Sequence, residues 1–169
     1  MTIFKLLLVV LAFISSGLTP AVSKEHFSIA SESRDVSLTY IGTANFIVAN
    51  VAGKCASTFG RDNSSKIFVL SWQERNAKYV LAAAIYMEKL LSEIHDTGGP
   101  AERDAVYQEI TSAAQENGEA AMRGWFKNSD NTQACQRIAG LIEDGEFDIT
   151  PQVSMYDELE ALADWAQQQ

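Results

Sequence analysis

Cys55 and Cys135 are the only cysteines in the chain, and if they pair, any fold must bring two distant points of the sequence into contact. Whether they pair depends on the compartment, on which the N-terminus bears directly. "MTIFKLLLVVLAFISSGLTPAVSKE" has the three parts of a secretory signal. Lys5 is the positive head, Leu6 to Leu18 the apolar core, and Ala21-Val22-Ser23 the small-residue site for a cut after Ser23. A bilayer span takes about 20 apolar residues, whereas this run is shorter, broken by Ser15, Ser16 and Gly17, and followed by Pro20. The expected setting is therefore export, to the periplasm or beyond the cell, where two thiols meet an oxidising milieu and close one disulfide. Neither a Cys-x-x-Cys nor a histidine beside either thiol points to redox or zinc chemistry.

Residues 24–169 then read as a single domain of ordinary size. The chain carries 13 basic and 22 acidic residues, net −9, and Lys5 is the only charge in the signal. A field of that sign repels phosphate backbones and anionic lipid heads, so no nucleic acid or membrane surface is expected as a partner; a basic protein fits. No segment after the signal reads as long and apolar enough to span a bilayer, so the mature protein is expected to be soluble.

Apolar residues recur at spacings of three and four, the period of a helical face. Val36, Tyr40, Ile41, Ala44, Ile47, Val48, Val51, Cys55 and Phe59 predict a first helix from Asp35 to a cap at Gly60. The following "RDNSS" is a polar loop whose Asn63-Ser64-Ser65 matches a glycosylation acceptor in a eukaryotic host. "IFVL", residues 67–70, fits a short strand. Ser71-x-x-Glu74 fits a capping box opening a second helix to Asp96, with Glu74 and Lys78 paired one turn apart. Thr97-Gly98-Gly99-Pro100 breaks that helix, and Pro100 opens a third, which Asn117-Gly118 interrupts or kinks. "EAAMRGWFK" continues as a helical piece, and "NSDNT" is a polar break. Ala134, Cys135, Ile138, Leu141 and Ile142 line a helix that stops at Gly145. Thr150-Pro151 opens the last, with Val153, Tyr156, Leu159, Leu162 and Trp165 or Ala166 on its apolar side. Without alternating strand patterns, the expected fold is all-α, a compact bundle of five to six helices with one disulfide.

Catalytic sets are scarce. The two histidines, His26 and His95, stand apart, and His95 suits the negative end of a helix. The zinc-protease His-Glu-x-x-His, the haem-attachment Cys-x-x-Cys-His, the Gly-x-Ser-x-Gly elbow and the phosphate-cradling loop do not occur. No metal and no cofactor are expected. Carboxylates remain, because a glycosidase needs only two of them; Glu74 near Trp72 and Glu88 after Tyr86 are the candidates for a small cell-wall glycan hydrolase. The run "EDGEFD" gathers Glu143, Asp144, Glu146 and Asp148. Its spacing does not match the twelve-residue calcium loop, which leaves a solvated loop or a contact for a basic partner.

An export signal, a small acidic helical body, one early helix-borne cysteine and a second within "TQACQRIAGLIEDGEF" together resemble the plan of periplasmic immunity proteins that neutralise cell-wall amidases delivered by type VI secretion. The likeness is one of layout, contains no family motif, and carries over no functional residue. It implies stoichiometric inhibition of a toxin. The expected function is thus an exported protein that binds another protein, as an inhibitor or immunity factor, with the glycan hydrolase as the alternative.

Overall fold

A computed structural model of the chain describes residues 29–59, 64–126 and 131–169. The export signal, His26, the Gly60 cap, Asn63 and the start of the "NSDNT" break lie outside the described residues. Among the described residues there are six helices and no strand: α1 Glu32–Lys54, α2 Ala56–Phe59, α3 Ser64–Arg75, α4 Ala77–Ala121, α5 Asn131–Glu143 and α6 Tyr156–Ala166. The fold is the all-α bundle that the period announces.

α1 begins three residues before the periodicity alone places it, because Ser31 caps it: the Ser31 Oγ accepts from the Arg34 amide at 3.2 Å, and Glu32 and Asp35 stand in the first turn. This helix is the axis of the bundle, packed against α3, α4, α5 and α6. It also corrects one expectation, since its length and a mean hydropathy of 1.2 over an 18-residue window would suit a membrane crossing. Helices apolar on several sides are those buried on several sides, and α1 has neighbours on four helices.

Residues 67–70 are helical, not a strand, and Ser71 does not open a helix. α3 runs through it, with the Ser71 Oγ taking a hydrogen bond from Arg75 Nη1 at 3.1 Å. Phe68 and Trp72, four apart, are both buried and hold this stretch to the core as a helix. The break falls at Asn76 instead. Farther on, Gly99 (φ 82°, ψ −179°) has a backbone conformation essentially restricted to glycine, so α4 is two arms about a kink. Glu88, Leu91, Ser92 and His95 of the first arm line one open groove with Arg103, Asp104, Tyr107 and Gln108 of the second. The arms therefore fold back on each other.

Asn117-Gly118 does not interrupt the second arm. Gly118 is buried where the Phe46 ring of α1 sits against it, and a Cβ there would overlap that ring. "MRGWF" is a turn and not a helix, because Gly124 takes φ 100°. α5 ends as expected at Gly145 (φ 87°), with Glu146 N donating to Leu141 O at 3.0 Å and Gly145 N to Ile142 O at 3.3 Å, the paired bonds of a Schellman cap. Thr150-Pro151 forms a turn closed by Val153 N on Thr150 O at 2.9 Å, which suits proline's fixed φ as well as a helix start would, and α6 waits until Tyr156.

The core has two parts strung along α1. One gathers Leu38 and Ile41 with Tyr79, Tyr86 and Leu90 of α4 and Leu159 and Leu162 of α6. The other gathers Val48, Val51 and Cys55 with Trp72 of α3 and Cys135, Ile138 and Ile142 of α5. Within the second part the Cys55–Cys135 disulfide joins the end of α1 to α5 across 80 residues, at a Cα–Cα distance of 5.4 Å. A formed bridge accords with an oxidising compartment.

Candidate functional site

Three side chains at the α3–α4 junction, Trp72, Arg75 and Asn76, share one side of the helix because they stand at i, i+3 and i+4. All three end on the acidic run. Trp72 is fully buried and its Nε1 donates to Phe147 O at 3.0 Å. Arg75 grips Asp148 with two nitrogens, Nε at 2.7 Å and Nη2 at 3.1 Å, while Nη2 also donates to Ile142 O at 2.6 Å. Asn76 is 1% exposed; its Oδ1 accepts from Ile149 N at 2.7 Å and its Nδ2 donates to Trp72 O at 2.9 Å and to Asp148 Oδ1 at 3.2 Å. The polar head of "SWQERN" is a clamp on a loop 67 to 75 residues on, not a helix start.

The clamp divides the four carboxylates. Asp148 is turned inward, with 18% of its side chain exposed, and serves as the clamp's anchor. Glu143, Asp144 and Glu146 are exposed. Beside them lies a groove of about 190 Å³ lined by Trp125, Arg137, Ile138, Leu141 and Phe147. Trp125 meets Phe147 edge-on at 5.7 Å, Arg137 Nη2 donates to Trp125 O at 3.3 Å, and Leu141 is 43% exposed. On α3, Ile67 and Leu70 are exposed as well. Glu143, Asp144 and Glu146 thus stand exposed on a turn that the clamp holds from below, with the groove beside them.

The other sequence candidates are not brought together. Glu74 is exposed while Trp72 is buried, on different sides of α3. Tyr86 is buried with its hydroxyl on Asp35, whose acceptance of that proton, together with burial as the larger effect, pushes the phenol up to about 12. Glu88 and His95 are exposed in the open groove between the α4 arms, where Asp104 is held by Arg103 at 2.5 Å. No group of three His, Cys, Asp or Glu side chains that could hold a metal occurs among the described residues.

Lys78 does not pair with Glu74. Its Nζ donates to both oxygens of Glu160 at 2.6 and 2.8 Å, and the Tyr79 hydroxyl joins it. The Lys78 hydrogen bond, above all, holds Glu160 down to about 2, while burial, then Glu160, raises Tyr79. The spacing Trp-x-x-Arg-Asn was visible in the sequence, but its partners lie 67 to 75 residues away, beyond any local pattern.

Compared with protein-family models, curated proteins and solved structures, the chain matches none of them. The likeness to immunity proteins accordingly rests on layout alone, and a functional reading has to come from the site.

Proposed function

We propose that this chain is an exported, periplasmic protein that binds a basic surface of another protein, as an inhibitor or immunity factor, through Glu143, Asp144, Glu146 and the adjoining Trp125–Leu141 groove. The observation that carries this reading is the clamp. A turn held at its base by three helix side chains is fixed before contact and loses little freedom on binding. Exposed acids at the edge of an apolar groove also match the usual anatomy of a protein interface, in which charge steers the encounter and apolar anchors hold it.

The test is capture from periplasmic extract by the mature protein, wild type against Glu143→Gln/Asp144→Asn/Glu146→Gln. Capture of one basic protein that weakens with salt, falls about tenfold or more in affinity in the triple variant and loses its own activity at one-to-one stoichiometry supports the reading. Equal capture by the two forms, or no partner at low salt, ends it.

A further inference from the structure

A cavity of about 320 Å³ lies away from the acidic turn, between α1 and both arms of α4. Its walls are aliphatic: Leu38 of α1, Leu90 and Ile94 of the first arm, Val106 and Ile110 of the second. Val106 and Ile110 are only partly buried, so the second arm leaves apolar surface facing the space unfilled. The titratable groups among the described residues lining it are two carboxylates, Asp35 and Glu109, both exposed at its rim. The remaining polar lining residue, Thr39, spends its hydroxyl proton on Asp35 O at 2.9 Å. Asp35 is itself positioned, since the buried Tyr86 hydroxyl donates to its Oδ1.

We propose that this cavity binds a small cationic amphiphile, an alkylammonium whose hydrocarbon chain fills the aliphatic walls and whose head sits between Asp35 and Glu109. The volume falls in the range of small-ligand sites, about 300 to 1,000 Å³, and such sites combine mostly apolar walls with a few placed polar groups. Charge chooses the head. Two carboxylates at the mouth of an apolar space, on a chain of net −9, attract a cation and repel a fatty acid of the same length. This site is independent of the protein-binding surface proposed above.

Calorimetric titration of the mature protein with n-octylammonium, n-octanoate and n-octanol tests it. Saturable one-to-one binding of octylammonium is expected, with octanoate at least tenfold weaker. Glu109→Gln, on an exposed helix face, should cut that preference severalfold without loss of folding, and Asp35→Asn should cut it further. Ala113→Leu, which fills the cavity, should abolish binding of all three. Equal binding of the three ligands would overturn the assignment of the cation. No saturable octylammonium binding, or binding that survives Ala113→Leu, would overturn the site.

Discussion

Asn76 has both ends of its amide in use at a position 1% exposed, with the oxygen on the Ile149 amide and the nitrogen on Trp72 O and Asp148. Truncation to alanine leaves the Ile149 N–H buried without that partner, and a stranded buried donor costs about 2 kcal/mol. Urea unfolding of Asn76→Ala should give a stability lower by that amount, seen as a lower midpoint with an unchanged slope; a loss below about 0.5 kcal/mol would mean that the clamp does not hold the turn. A second residue-scale effect lies at Glu160, where hydrogen bonds from Lys78, then Tyr79 and Tyr156, depress the carboxyl from its ordinary 4.5 to about 2. A folded-state value below the unfolded one contributes stability above pH 4.5, and that contribution disappears as pH falls through about 2. Lys78 is half exposed, so water screens the pair and its worth stays below about 1 kcal/mol. Stability curves of wild type and Glu160→Gln should therefore be farthest apart above pH 4.5 and draw together as pH falls toward 2; a constant offset down to pH 2 would contradict the assignment.

At the scale of elements, what local chemistry decides was legible and what distant partners decide was not. The three-and-four spacing located the body of α1, the first arm of α4 and α5, since the apolar residues at those spacings are the ones the core buries. Gly145 announced the end of α5 because only the backbone bonds of the last turn set that cap. Thr97-Gly98-Gly99-Pro100 announced the hinge, and Gly99 needs a conformation that other residues avoid. Ser71-x-x-Glu74 misled because a capping box is only a possibility until the preceding residues are placed. Here Phe68 and Trp72 both face the core, so the helix begins earlier, and Asn76 breaks it through a partner 73 residues on. Gly118 misled for a similar reason: glycine there admits the Phe46 ring and does not stop the helix. The same division runs through the site. Four acids in "EDGEFD" were plain to see, but that Asp148 faces inward while the other three face water depends on Arg75, 73 residues upstream.

Across the whole molecule, α1 spans two core clusters, and the disulfide reinforces only one of them. The cluster of α4 and α6 side chains holds to the first half of α1 by packing, with Tyr86 edge-on to Trp165 at 5.5 Å and Arg34 over both rings. The cluster of α3 and α5 side chains holds to the second half by packing and by Cys55–Cys135. Closing a loop of 80 residues restricts the unfolded chain by an amount worth about 4 kcal/mol, a large share of the total for a domain this size, so reduction should lower urea stability by up to that figure. Beyond this global loss there is a local one. With the bridge intact α5 cannot leave the end of α1, but once reduced it is kept by Ile138, Ile142 and the clamp at Arg75, and its departure becomes a partial opening of lower cost than complete unfolding. Hydrogen exchange of the Cys55→Ala/Cys135→Ala variant should then show α5 and residues 144–149 exchanging well before the first arm of α4 and α6. Equal acceleration in both halves would mean that the two clusters unfold as one unit and that the bridge acts on the unfolded chain alone. The first outcome also ties the frame to the proposed function, because the turn bearing Glu143, Asp144 and Glu146 rides on the end of α5, and reduction would weaken partner capture before it unfolded the bundle.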